Sequence, residues 1–505
     1  MLGIELTQED RRDINEFLLS KNLPTETSVT FSDVWIPEGY SESRSRSEVW
    51  GSPELSFRTI LTSDISLNYP IFSANMMSVT GLDMALSMIR SGGGYFLPQM
   101  LDLEDRLKML ESIRRADCAY IEDPLIVDVY TKLGEAKKKM SRYGIWSLVV
   151  VNSENKPMGM LSSQDWRYET NDDIPISALM SHPVKTCKTM DDIQSAKKIM
   201  KREKIEKLPV VNEAGVVVGL YTAHGAFYEM RHPMATRNSF GQFPIFGSVR
   251  VGKALTSDTR KEIEEQVKIG AKIILVDTAR AYAINLREIV VFLRKEFPGV
   301  LIVAGNVSTA EGAKALFEWG THIVKVNQGR GSQCLTSLQT GIGQPQITAI
   351  AECSVMAKKY GGKIMADGGM KSPGDIAKAF IARADFVMTG SMLAGTHESP
   401  AEVAPRQYDG KEFLVKKYEG SASLEAQKKR IVEGTLDDLR EPEGDWEYVP
   451  LTGNVTPKIQ GLFKTLSSAM TYCGHKTLDD LRENGRFGDR LQSRAGLIEG
   501  TKNRA

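Results

Sequence analysis

The residue whose surroundings most invite chemistry is Cys334, in the run Val326-Asn-Gln-Gly-Arg-Gly-Ser-Gln-Cys-Leu-Thr336. A free cysteine is ordinarily a small buried hydrophobe, and Cys353 and Cys473 read that way. Cys334 instead follows an apolar run in a glycine-rich loop, where backbone donors and nearby cations favour the nucleophilic thiolate. Thr336 is close enough in sequence to share a reacting centre, and the loop carbonyls can hold a monovalent cation. Two more glycine-rich segments, Ala366-Asp-Gly-Gly369 and Thr389-Gly-Ser391, have the makings of a phosphate cradle. Glycine lets backbone N–H groups approach an anion, and a following helix adds a favourable dipole. An aspartate beside such a cradle, here Asp367, suits a ribose diol because it accepts two hydroxyl hydrogen bonds.

These segments need a scaffold that brings them together. From about Pro244 the chain alternates short apolar runs with amphipathic stretches. The apolar runs are Lys272–Asp277, Val300–Gly305, His322–Val326, Lys363–Asp367 and Phe386–Thr389, with helix-like segments at Thr309–Trp319 and Ser372–Ala382. Near-continuous apolar strands alternating with helices imply parallel βα units. Both the closed (β/α)8 barrel and the open doubly wound sheet put ligands at the strand ends. Two further strand ends, at Pro70–Thr80 and Gly92–Pro98, lie upstream of a stretch of different character and favour the barrel.

Composition is that of an ordinary globular chain. Of 505 residues, 41% are hydrophobic and 25% charged, and Lys+Arg balance Asp+Glu at 64 each. A neutral chain offers no global field for nucleic acid or an anionic membrane, so an anionic ligand needs a local site. No run approaches the ~18 apolar residues that span a bilayer. The N-terminus lacks a signal-peptide pattern and the C-terminus a standard peroxisomal address. Five scattered cysteines with no CxxC pair argue against a disulfide framework or zinc cluster and for a reduced, cytoplasmic protein.

The stretch 113–232 contains two similar copies. Asp123–Val127, Ala136–Met140, Ser147–Val151 and Gly159–Asp165 are echoed by His182–Thr186, Ala196–Met200, Leu208–Val211 and Gly219–Thr222. The pair resembles tandem cystathionine-β-synthase (CBS) domains, in which a Ser/Thr and an Asp hold nucleotide phosphate and ribose. The first copy has both, Ser162 and Asp165. The second keeps Thr222 but has Gly225 in place of the Asp. The resemblance implies a regulatory purine nucleotide, ATP or GTP, at one such site.

Around this insert, 1–112 and 233–505 resemble the IMP dehydrogenase/GMP reductase family, in its order and over nearly the whole chain. The family loop Gly-x-Gly-x-Gly-Ser-x-Cys-x-Thr is matched at Gly329, Gly331, Ser332, Cys334 and Thr336, with Asn327 in place of the first Gly and Arg330 in place of a usual Pro. The resemblance implies a (β/α)8 TIM barrel and a nucleophilic Cys334. It implies a potassium ion on the carbonyls of Gly329, Gly331 and Cys334. It places the nucleotide phosphate against Ser332, Gly369, Gly390, Ser391 and Tyr418, the ribose on Asp367, and the purine near Met76. Tyr418-Glu-Gly420 matches the family's Tyr-x-Gly, with Gly420, Ser421 and Ala422 near the base, although Ser421-Ala422 replaces a usual Met-Gly. Met77 stands where the family usually has Asp. Asp277, followed by Thr278 and Ala279, occupies the position facing nicotinamide. Glu443, in a segment that aligns without gaps, takes the place of a carboxylate that touches the base. Homotetramers, or octamers, are the family's assemblies.

Both reactions of the family pass through a thioimidate between cysteine and purine C2. The dehydrogenase, using NAD, then hydrolyses it with an Arg-Tyr pair on a flap. The reductase, using NADPH, expels ammonia from GMP with help from a Thr-Glu pair. At the flap position this chain reads Lys428-Lys-Arg-Ile-Val432, without the tyrosine, whereas Thr336 and Glu443 are both present. Asn75 and Ser91–Gln99 are also reductase-like. The expectation is therefore GMP reductase, with IMP dehydrogenase second. A third reading is a nucleotide sensor without activity, suggested by Asn327, Arg330 and Met77.

Overall fold

The computed structural model describes residues 4–45, 57–117, 119–122, 124–188, 193–239, 241–423 and 443–491. The flap position 428–432 lies outside them. The chain divides into two compact units, Met1–Leu110 with Met234–Thr236 and Ile245–Ala505, and Glu111–Pro233 with Arg237–Pro244.

The first unit is a (β/α)8 barrel. Its strands are β1 (Ile71–Ser73), β2 (Gly94–Tyr95), β3 (Ile245–Arg250), β4 (Ala271–Asp277), β5 (Leu301–Val307), β6 (Ile323–Val326), β7 (Lys363–Asp367) and β8 (Phe386–Thr389). They join in the ring order β3 to β8, then β1 and β2, and every ladder is parallel. Between β2 and β3 the link is made by side chains. Phe246 N donates to Tyr95 Oη at 3.4 Å, and Ser248 Oγ to the Leu97 carbonyl at 2.8 Å.

Rings fill the interior. Phe72 stacks on Phe96 at 5.3 Å and meets Phe246 and Phe386 edge-on at 5.7 and 5.8 Å. Each such pair adds about 0.5–1.5 kcal/mol beyond burial. A Cβ at Gly94 would stand 2.3 Å from the Phe72 ring, so that strand position has to be glycine. The barrel is thus a packed core with its site at one rim.

The outer helices are set by local signals. They include α1 (Leu82–Arg90), α2 (Leu103–Arg115), α3 (Ser257–Lys268), α4 (Ile284–Glu296), α5 (Ala310–Trp319), α6 (Gln346–Tyr360) and α7 (Pro373–Ile381). Thr309 caps α5 through Gly312 N, and Gly320 ends it in the left-handed conformation. Ser372 and Asp375 form a capping box on α7, with Pro373 in the first turn. The eighth position is filled late, by α8 (Val455–Cys473), which packs on both α7 and α1. Between β8 and α8 lies an antiparallel sheet of Val403–Tyr408, Lys411–Glu419 and Trp446–Pro450.

The second unit repeats itself. Strands at Ser147–Val151 and Pro157–Ser162 and a helix at Leu133–Tyr143 recur 60 residues later at Lys207–Val211, Val217–Thr222 and Ile193–Glu203. Even the register shift recurs, between Val150 and Val151 and between Val210 and Val211. Val149 and Val151 of one copy pack with Leu220 of the other. No helix among the described residues is long and apolar enough to cross a membrane.

Candidate active site

The loop after β6 carries Cys334 and is held by its own polar groups. Arg330 N donates to Asn327 Oδ1 at 3.1 Å, Cys334 N to the Gly331 carbonyl at 3.0 Å, and Ser337 Oγ to the Gly329 carbonyl at 2.9 Å. Gly329 has φ +73°, a conformation that favours glycine, and a Cβ there would press on Ser337. Cys334 is partly buried, neither sealed in the interior nor open.

Its sulfur is one end of a hydrogen-bonded relay. Cys334 Sγ donates to Thr336 Oγ1 at 3.3 Å, and Thr336 Oγ1 donates to Glu443 Oε2 at 2.7 Å. Glu443 reaches this place because 443–447 runs beside 333–335. Leu335 N donates to the Glu443 carbonyl at 2.7 Å and Asp445 N to the Gln333 carbonyl at 3.0 Å, and Cys334 and Gly444 form an isolated antiparallel bridge. Gln333 Nε2 adds a 2.6 Å bond to Glu447 Oε1. A thiol, a hydroxyl and a carboxylate in line can move a proton from the nucleophile to a carboxylate and back to a leaving group.

The other expected residues gather around this relay. The Gly368-Gly369 turn has φ +67° and +76°, and a Cβ on Gly368 would sit 3.4 Å from Gly331 Cα, so the cysteine loop lies against the Asp367 turn. Tyr418 is 4% exposed and touches Ser332 and Met76; burial pushes its phenol up to about 12. Its hydroxyl lies 2.6 Å from where a Gly390 Cβ would stand. Ser391 begins the one-turn helix that follows Gly390. Gly420, Ser421 and Ala422 form a turn beside Gly444, with Gly420 N donating to the Asp445 carbonyl at 2.8 Å. Thr278 and Ala279, after β4, bond to Gly305 and Gln328 respectively.

One component escaped the sequence reasoning. Lys325, in the middle of β6, is 2% exposed, and its ammonium lies 2.7 Å from Asp367 Oδ2 and 3.1 Å from Asp277 Oδ1. Burial works against the ammonium, but Asp277 and Asp367 outweigh it and hold its pKa above the ordinary lysine value. The signal available was a lysine inside an otherwise apolar strand.

In the second unit, Ser162 and Asp165 form a capping box in which Asp165 Oδ2 accepts from Ser162 N at 2.6 Å and from Ser162 Oγ at 2.7 Å. Ser181 Oγ donates to its other oxygen at 2.9 Å. Thr222 caps the equivalent helix through Gly225 N, with no carboxylate to complete a box.

A (β/α)8 barrel that gathers a cysteine, a threonine and a glutamate at its strand ends has the groups for thiol chemistry on a bound ligand. The family model for the IMP dehydrogenase / GMP reductase domain matches residues 28–502. Inosine-5'-monophosphate dehydrogenase from Streptococcus pyogenes serotype M3 is 34% identical over 455 residues, covering 88% of this chain and 90% of that protein. The Aquifex aeolicus enzyme of the same name is 34% identical over 466 residues, covering 91% and 92%. Among solved structures, a cysteine-to-alanine GMP reductase from Trypanosoma brucei in complex with guanosine 5'-monophosphate superposes with TM-score 0.81 at 30% identity, over 95% of this chain and 98% of that one. The same organism's GMP reductase in complex with guanosine 5'-triphosphate gives 0.72 at 27% identity, over 92% and 98%. The chain belongs to the IMP dehydrogenase/GMP reductase family.

Proposed function

We propose that this protein is a GMP reductase, converting GMP to IMP and ammonia with NADPH. The observation that carries the reading is the 2.7 Å bond from Thr336 to Glu443, in line with Cys334. In this scheme Cys334 Sγ bonds to purine C2 while its proton passes through Thr336 to Glu443. Glu443 returns the proton, again through Thr336, to the departing amine, so ammonia leaves and a thioimidate remains. NADPH, when bound, supplies the hydride that this carbon then takes, and the C–S bond breaks to free the thiolate and IMP. Phosphate is held at Ser332, Gly369, Gly390, Ser391 and Tyr418, ribose at Asp367, and the base near Met76 and the Gly420–Ala422 turn.

Asp277, Thr278 and Ala279 would hold the dinucleotide. The neighbouring Asn306 Oδ1 is buried without a hydrogen-bond partner and fits a ligand carrying an N–H or O–H donor there. For potassium the fit is shared: Gly329 and Gly331 carbonyls already accept bonds from Ser337 and Cys334, so a cation would use their second lone pairs. The second unit reads as a CBS pair, with ATP or GTP at Ser162 and Asp165 and a weaker site at Thr222. Assembly follows the family as a homotetramer, with the octamer as the larger form.

IMP dehydrogenase is the second reading, supported by the named relatives at 34% identity. Purified protein with GMP and NADPH, followed at the NADPH absorbance band, separates the two. Loss of absorbance with ammonia release establishes the reductase. A gain with IMP and NAD, and no loss with GMP and NADPH, overturns it. Silence in both, with nucleotide bound, leaves a sensor.

A further inference from the structure

Strand β6 is buried at every position from Ile323 to Val326, yet its third residue is a lysine. A buried ammonium persists only where it is paired and hydrogen-bonded. Lys325 Nζ bonds Asp367 Oδ2 at 2.7 Å and Asp277 Oδ1 at 3.1 Å, and the neutral Met388 sulfur lies 3.9 Å away. Each carboxylate accepts a second bond, Asp277 through its other oxygen and Asp367 through the oxygen that also meets the ammonium. Asn306 Nδ2 donates to Asp367 at 3.0 Å and Asn75 Nδ2 to Asp277 at 2.8 Å. One unbroken chain, Asn75–Asp277–Lys325–Asp367–Asn306, therefore crosses the barrel mouth and draws on residues from β4, β5, β6, β7 and the segment after β1. The charged groups facing Lys325 are Asp277 from β4 and Asp367 from β7, so the cluster carries one positive and two negative formal charges.

We propose that Lys325 is a positioning residue that links the nucleotide site to the dinucleotide site. The inference rests on the reading above, in which Asp367 receives the ribose and Asp277 faces the nicotinamide. A ligand hydroxyl on either carboxylate must share it with the same ammonium. Fixing Asp367 with a ribose fixes Lys325, and Lys325 in turn holds Asp277 in its receiving geometry. The two ligands should then strengthen each other's binding, and equally in both directions. Without the ammonium, the two carboxylates lose the positive charge they share and repel each other, so neither is held in its receiving geometry.

The test is calorimetric binding to the full chain, with GMP alone, NADP+ alone, and NADP+ in the presence of saturating IMP. In the unmodified protein IMP should tighten NADP+ roughly tenfold, a coupling of ordinary size. Lys325→Met should abolish that tightening and weaken GMP about tenfold or more. Lys325→Arg should restore most of both. If Lys325→Met does not fold, Asp277→Asn serves: it should weaken GMP severalfold from the opposite side of the chain. Coupling within twofold of normal in these variants overturns the proposal while leaving the functional reading intact. So does a loss that arginine fails to rescue. Failure of the unmodified protein to bind GMP, IMP or NADP+ overturns both.

Discussion

Replacing Glu443 with glutamine isolates the relay with little disturbance of shape. The amide oxygen still accepts the Thr336 hydroxyl, which stands 2.7 Å from the carboxylate. What disappears is a group able to store the thiol proton and return it to the amine. General acid–base assistance is worth roughly 10²–10⁴-fold, or about 3–5 kcal/mol at ~1.4 kcal/mol per tenfold. Since the proposed phosphate and ribose contacts lie elsewhere, kcat should fall at least about 100-fold while the nucleotide KM stays within about threefold, the pattern of an interaction used in the transition state. Single-turnover ammonia release from GMP reads the affected step directly. Thr336→Val should lose a similar factor, and the double variant should lose no more than the worse single one, because residues acting as a unit are non-additive. A Glu443→Gln rate within threefold of normal would refute the relay. Losses that multiply in the double variant would refute its serial order.

Cys334→Ala should remove turnover by about 10³-fold or more, as loss of a covalent nucleophile does, with GMP affinity by calorimetry close to normal. Gly390→Ala would place a methyl 2.6 Å from the Tyr418 hydroxyl and 3.1 Å from the Met76 sulfur. Overpacking of about 1–3 kcal/mol should lower the melting temperature by a few degrees, and displacement of Tyr418 and Met76 should raise the nucleotide KM roughly tenfold; a variant with both unchanged would count against this packing. Asp10 is buried, which alone would raise its pKa, but Lys314 and Lys359, both at 2.8 Å, hold its carboxyl far below the usual range. The folded form thus binds fewer protons than the unfolded chain, so this stabilisation is complete above about pH 5 and fades as pH falls below about 4. Asp10→Asn should lower the melting temperature at pH 7 and flatten its decline between pH 5 and 3; an unchanged acid limb would count against the pairing.

Much of the scaffold could be read from apolar runs. Lys363–Asp367 and Phe386–Thr389 are strands with the expected bounds, and Ser372 and Thr309 are the caps of the expected helices. Strand β3 was harder to see, because Gly247 and Ser248 interrupt its apolar character. The antiparallel sheet that supports Tyr418 also escaped, since Lys411–Glu419 is mixed in composition and exposed over its first four residues. Cys334 and Thr336 are neighbours in sequence, so their shared site was legible from spacing. Glu443 was placed by resemblance alone, because nothing local tells a loop acid which hydroxyl it will meet. Lys325 was passed over for a related reason: its partners Asp277 and Asp367 lie 48 and 42 residues away, and only closure of the barrel gathers them.

The bond between Thr336 and Glu443 joins positions 107 apart. A ribosome adding roughly 5–20 residues per second needs between about 5 and 20 s to travel that distance. During this interval the sulfur-bearing loop is already made while its acid is not, and the helix that completes the ring is later still. The nascent protein therefore carries the Cys334 thiol without its glutamate for about a fifth of its own synthesis. The hydrogen-bonded set of thiol, hydroxyl and carboxylate closes only after Glu443 has been added.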